Sequence, residues 1–148
     1  MKKPTAEQIK ALLALAEDLC PSAPCNVYTY VKEWQMCWRL NDRFDGADYQ
    51  PHPKHNHKGI DLIDNNKIFP VVQLKSPRTS SYRGGADDKM SKIARAAMAY
   101  DKEALIVVEF QLFNETYIGK ASLLLKKDSI GLSPNQARKL GFELMSPV

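Results

Sequence analysis

Apolar positions near the start of the chain recur at helical spacing: Ile9, Leu12, Leu13, Ala16 and Leu19 share one face. Thr5 precedes them with Gln8 three residues on, the pattern of a capping box, and Pro21 lies beyond. A helix over about residues 5–19 is predicted. The segment 26–40 carries two periodicities. Val27, Tyr28, Thr29, Tyr30 and Val31 have the β-branched and aromatic character of a strand. Val27, Tyr30, Val31, Trp34, Cys37 and Trp38 also share a helical face, and a helix ending near Leu40 is the preferred assignment. Trp34, Trp38, Tyr28 and Tyr30 then read as packing residues rather than base-stacking platforms.

Residues 41–58 are rich in turn formers (Asn41, Asp42, Asp45, Gly46, Asp48, Pro51, Pro53) and read as one long loop, a length that marks functional or mobile segments. Residues 59–63 form a short apolar strand, 64–67 a turn, and 68–75 a second strand, together a β-hairpin. Pro70 calls for a bulge or an edge position. A basic loop follows at 76–85, then a helix at 86–100 built on Met90, Ile93, Ala94, Ala97 and Met98. Residues 104–110 are continuously apolar, as in a central strand, and 117–126 read as another strand. Ser133 and Pro134 open a last helix that Gly141 ends. The order implies a mixed α/β fold around one sheet, in a single domain covering residues 1–148.

Composition adds bounds rather than identity. With 148 residues, 44% of them apolar, the chain can bury a real core. The net charge of +4 permits a polyanionic partner without requiring one. Cys20, Cys25 and Cys37, odd in number and widely spaced, suit reduced thiols better than a disulfide framework. No apolar run approaches the roughly 18 residues of a membrane span. Glu7, Lys10, Glu17 and Asp18 interrupt what would be the apolar part of a signal peptide after Lys2 and Lys3, so a cytoplasmic protein is expected.

The candidate chemistry lies in the hairpin. Phosphodiester hydrolysis with a metal needs hard oxygen ligands for Mg²⁺ and a cation near the attacking water or scissile phosphate. Asp61 supplies an anionic oxygen, Gln73 a neutral carbonyl oxygen and Lys75 the cation. The triplet Gln73-Leu74-Lys75 is weak by itself, since Gln8-Ile9-Lys10 and Asp87-Asp88-Lys89 are decoys in predicted helices. Only the former ends an apolar strand that follows an Asp-bearing one. The alternative for each residue is ordinary: Asp61 as a polar side chain bonding backbone at a strand end, Gln73 and Lys75 as a plain strand terminus.

Gly59-Ile60-Asp61, the hairpin, Val71-Val72-Gln73-Leu74-Lys75, a loop, an apolar helix and an apolar strand resemble the core of the PD-(D/E)xK nuclease superfamily, over about residues 59–110. The resemblance implies a restriction-endonuclease-like fold, with a mixed central β-sheet flanked by helices, and Mg²⁺-dependent cleavage of DNA with Mn²⁺ as a substitute. A restriction-type homodimer or a homing-type enzyme is the expectation. Asp61 takes the place of the metal-binding Asp, Gln73 that of the usual acidic residue, and Lys75 that of the motif Lys. Ile60 replaces the family's Pro, and Gln73 removes one negative charge, which leaves open an inactive DNA- or protein-binding module on the same fold. Members of such families often add an acidic residue from the first helical region, here Glu33 or Glu17.

Two flanking segments could touch nucleic acid. Arg78, Ser80, Tyr82 and Arg83, with Ser76, Thr79 and Ser81, directly follow the motif and suit phosphate contacts, unless they are a plain solvated loop. His55, His57 and Lys58 could do the same from the other side. His52, His55 and His57 hold every histidine of the chain, but their spacing is not a standard zinc pattern. Lys89, Lys92 and Arg95 read as a solvated helix face, and Glu109 as structural. One geometric requirement follows. Strand side chains alternate, so an even-length turn would put Asp61 opposite Gln73 and Lys75. The site therefore requires an odd turn, such as 64–68, or a bulge near Pro70.

Overall fold

The computed structural model describes residues 4–19, 26–53, 59–83, 89–127 and 131–145. Two helices come first, α1 (Ala6–Leu19) and α2 (Asn26–Arg43). The capping box at Thr5 and Gln8 forms, with Gln8 N–H donating to Thr5 Oγ1 at 3.2 Å and Thr5 N–H to Gln8 Oε1 at 2.9 Å. Strands β1 (Tyr49–Pro51), β2 (Leu62–Asp64), β3 (Val72–Lys75) and β4 (Tyr82–Arg83) precede α3 (Met90–Tyr100). Then come β5 (Leu105–Phe110), a 3₁₀ turn at Gln111–Phe113, β6 (Glu115–Lys120) and a second 3₁₀ turn at Ala121–Leu124. The chain continues with β7 (Gly131–Leu132), α4 (Pro134–Leu140) and β8 (Glu143–Leu144).

Among the described residues the main sheet has six strands in the order β1-β2-β3-β5-β6-β8, and β4 pairs with β7 in a separate ribbon. The sheet is mixed: β3 and β5 run parallel, joined across α3, and the other neighbours are antiparallel. Helices cover both faces. Ile9, Val31, Trp34, Cys37 and Leu40 of α1 and α2 pack with Leu62, Val72, Val107 and Ile118 on one face. Met90, Ala94 and Ala97 of α3, with Leu124 and Ala137, pack on Ile106, Val108, Phe110 and Tyr117 on the other. The core strand β5 contributes to both, which is why it reads as continuously apolar. The mixed α/β expectation holds in this form, and Trp34 and Trp38 are packing residues of the first face.

Several boundaries differ from the sequence expectation for physical reasons. The stretch taken as loop contains β1, too short to show a period. It is held by Tyr49, fully buried, whose N–H donates to Asn41 Oδ1 (2.7 Å) and whose hydroxyl donates to the Pro70 carbonyl (2.5 Å). The expected strand at 117–126 ends at Lys120, which pairs with Leu105, the first residue of β5. With no partner strand left, the chain turns, and Ala121 N–H bonds the Ala104 carbonyl at 2.8 Å. Helix α2 runs on to Arg43. Helix α4 has the expected start and stop, with the Ser133–Gln136 capping box and Gly141 at φ 100°.

The hairpin is shorter than expected because Asp64 organises the turn. Its carboxylate is 4% exposed and accepts the N–H groups of Asp48 (2.8 Å), Asn66 (3.0 Å), Ile68 (3.0 Å) and Phe69 (3.0 Å). Burial raises its pKa, but these four donors outweigh it and hold the carboxyl below its ordinary 3.8. Leu62 pairs with Val72, with an odd count of nine residues between them. The ladder is irregular at Asp61, not near Pro70: Asp61 N–H also donates to the Val72 carbonyl (3.0 Å), so two consecutive residues address one partner, as in a β-bulge.

Replacing Asp64 by Ala leaves four partly buried donors without an acceptor, and an expected loss of about 3–5 kcal/mol follows, measured by urea denaturation at neutral pH. Since the folded pKa is depressed, the Asp64 contribution is complete above 3.8 and fades as pH falls through the lower folded value, so wild type and variant should converge in acid.

Candidate active site

Beyond Leu62 toward the N-terminus, β2 no longer supplies ladder partners to β3. The free N–H of Leu74 is taken instead by Asp61 Oδ2 at 2.8 Å. The carboxylate therefore sits at the edge of β3, level with Leu74 and between Gln73 and Lys75 along the strand. Gly59 makes this approach possible: it has φ +89°, and a Cβ there would meet the Ala96 backbone of α3 at 3.0 Å. The Asp61 carbonyl accepts from His52 N–H (2.7 Å), tying the same residue to the end of β1.

Val72 and Leu74 face the α1/α2 side of the sheet, so alternation directs Gln73 and Lys75 to the α3 side. Gln73 is 6% exposed and pairs with Ile106 of the core strand. Among the described residues its buried Oε1 has no hydrogen-bond partner, and its Nε2 donates to the Leu74 carbonyl at 3.5 Å. A buried amide oxygen left open is costly unless something else meets it. Lys75 Nζ lies 5.5 Å from the ring centroid of Tyr82, which brings the first residue of β4 against the motif lysine.

Two carboxyl groups interact here. Burial pushes the Glu33 carboxyl up from 4.5 to about 7, and the Asp61 charge adds to the shift. Burial also raises Asp61, against the lowering effects of the Leu74 N–H and the Lys75 charge. Of the two acidic candidates on the first helices, Glu33 is in electrostatic contact with Asp61 of the hairpin. The side chain of Glu17 lies outside the described residues. Helix α2 is oriented by the residue before Glu33: Lys32 Nζ pairs with Glu109 Oε1 at 3.2 Å, and Arg39 with Glu109 Oε2 at 3.8 Å. Glu109 also accepts the Ser76 hydroxyl at 2.5 Å, so one carboxylate of β5 fastens both α2 and the end of β3. The sequence marked Glu109 as structural but gave no sign of this link, which joins residues 32, 76 and 109.

The expected nucleic-acid residues divide. Ser80 and Arg78 are exposed in the loop after β3, Arg83 is exposed on β4, and Tyr82 is half-buried against Lys75. His55, His57 and Lys58 lie outside the described residues, as do Cys20 and Cys25; Cys37 is a buried thiol. His52 stacks edge-on with Tyr100. Among the described residues no group of three or more His, Cys, Asp or Glu side chains is disposed to hold a metal ion, and no helix is long and apolar enough to cross a membrane. The oxygens available near the hairpin are instead two carboxylates and one amide, from Asp61, Glu33 and Gln73.

Comparison with protein-family models, curated proteins and solved structures found no match for this chain.

The Glu33 carboxyl should titrate near 7, in a carbon-detected NMR titration of the carboxyl signals. Between 4.5 and about 7 the folded protein then holds a proton that the unfolded chain releases, so this residue lowers stability as pH rises through that window. Glu33→Gln should match wild type near pH 4 and melt higher than wild type above pH 7. Equal melting temperatures across the range would contradict the assignment.

Proposed function

We propose that the chain is a metal-dependent endodeoxyribonuclease that hydrolyses DNA phosphodiester bonds, of restriction or homing type and acting as a homodimer. The observation that carries this reading is the carbonyl oxygen of Gln73, buried and unpartnered among the described residues, on the strand whose next two residues offer an N–H to Asp61 and then the ammonium of Lys75. Hard oxygen donors of this kind suit Mg²⁺, or Mn²⁺ in its place. Asp61 and Gln73 would hold the ion. Bound there, the ion supplies Lewis acidity toward the phosphate and lowers the pKa of an attacking water.

The chain's own groups account for the rest. The Lys75 ammonium, kept in place against the Tyr82 ring, stabilises the negative charge that accumulates on the phosphate oxygens. The Glu33 carboxyl, with a pKa near 7, is matched to taking the proton released by the attacking water. Asp61 is fixed by backbone on both sides, through the Leu74 N–H and the Val72 carbonyl. The exposed Arg78 and Arg83 suit contacts to the DNA backbone beside the scissile bond.

A second reading, a DNA- or protein-binding module without catalysis, draws on Gln73 itself. A neutral amide stands where the resemblance expects a carboxylate, which leaves the metal one negative charge short.

Plasmid and oligonucleotide DNA incubated with Mg²⁺ or Mn²⁺ should be cut, and EDTA should stop the reaction. Lys75→Ala should lower the rate by about 10²-fold or more. Gln73→Glu should retain cutting and reach half-maximal rate at a lower metal concentration. A protein that cuts nothing under these conditions, or that keeps its function in Lys75→Ala and loses it in Gln73→Glu, is the binding module.

A further inference from the structure

Next to the loop that follows Lys75 lies a cavity of about 520 Å³, within the range of small-ligand sites. Its construction is specific. On one side the loop is stitched to the 3₁₀ turn Gln111–Phe113: Gln111 N–H donates to the Pro77 carbonyl (3.1 Å), and Gln111 Nε2 to both the Ser76 carbonyl and hydroxyl (3.0 Å each). On the other side the β4–β7 pairing, Tyr82 with Leu132 and Arg83 with Gly131, delivers the chain directly into the capping box at Ser133. The same loop thus touches Lys75 through Tyr82 and walls the cavity through Ser80 and Ser81.

The remaining walls are Phe113, Glu115, Ser133, Pro134, Asn135 and Arg138. Phe113 is 48% exposed, so about half of an aromatic side chain is accessible beside the cavity. Arg138 is committed elsewhere: it donates to the Tyr117 hydroxyl (2.6 Å), lies over that ring, contacts Glu115 Oε2 (3.5 Å) and bonds Asn135 Oδ1. Glu115 offsets its charge, which makes the cavity a poor phosphate site. With Asn135 Oδ1 occupied, its amide NH₂ is the donor available to a ligand. A half-exposed aromatic ring, serine hydroxyls and an amide around a near-neutral cavity fit a flat, uncharged, polar ring.

We propose that this cavity receives an unpaired nucleobase of the DNA substrate, stacked on Phe113 and hydrogen-bonded by Asn135 and the Ser80 and Ser81 hydroxyls. The proposal rests on the nuclease reading and narrows its substrate to DNA with a single-stranded or extruded nucleotide near the cut. Bases inside a duplex are stacked and paired, and only an unstacked one presents both its face and its edge. Arg78 and Arg83, exposed on the same loop and on β4, remain outside for the flanking phosphates.

The test is fluorescence anisotropy in EDTA, where binding is read without cleavage, with a labelled single strand of mixed sequence, its abasic counterpart of equal length, and the duplex. The full chain should bind the base-bearing strand about tenfold tighter than the abasic one. Phe113→Ala and Asn135→Ala should abolish that preference while leaving abasic binding and the melting temperature unchanged, and Phe113→Trp should keep it. Equal binding of the two strands by wild type, or a preference that survives both alanine variants, overturns the proposal. If metal-dependent cutting persists in that case, the nuclease reading stands without the cavity. If no DNA is bound or cut at all, both fall.

Discussion

A single carboxylate sets the geometry on which the candidate site depends. Asp64 gathers four backbone N–H groups from Asp48, Asn66, Ile68 and Phe69, and so fixes how the chain leaves β2 and joins β3. Because strand side chains alternate, a shift of one residue would reverse every position on β2 relative to β3. The turn that Asp64 closes gives the Leu62–Val72 pairing, and the bulge one residue earlier puts the Asp61 carboxylate on the Leu74 N–H. Asp61 is thereby a substitute for a missing ladder residue as well as a candidate ligand.

The second constraint is electrostatic. Asp61 and Glu33 are both disfavoured as anions by burial, and the Asp61 charge adds to the cost of ionising Glu33. A pair of this kind is expensive for the fold alone, and a nearby cation is the usual relief. Lys75 supplies part of it for Asp61, but the lysine beside Glu33 is engaged elsewhere, since Lys32 pairs with Glu109. Among the described residues nothing lowers the Glu33 pKa and the buried Gln73 oxygen has no partner.

Glu109 connects this centre to the surface beyond it. Through Ser76 it holds the point where β3 ends, and through Lys32 and Arg39 it holds α2. Ser76 in turn is bonded by Gln111, so the loop between β3 and β4 starts from a fixed origin and not as free chain. Rigid placement of that loop allows one segment to face Lys75 with Tyr82 and the neighbouring cavity with Ser80 and Ser81.

Local pattern by itself determined much of the fold. Capping signals at Thr5 and Ser133 and the stop at Gly141 mark helix ends because they act within one turn of chain, and the continuous apolar run at β5 marks a strand covered on both faces. The hairpin and its requirement for an odd turn were also legible, since alternation is a property of any strand. Tertiary structure decided the rest. The bulge fell at Asp61 and not near Pro70, two residues after Gly59, which passes against the α3 backbone. β1 was invisible because three residues show no period and its anchor, Tyr49, is buried by partners at Asn41 and Pro70. Glu33 could be named only as one of two acidic candidates, since its relation to Asp61 depends on how α2 docks. That docking is set by ion pairs from Lys32 and Arg39 to Glu109, contacts across some seventy residues of sequence that no local pattern records.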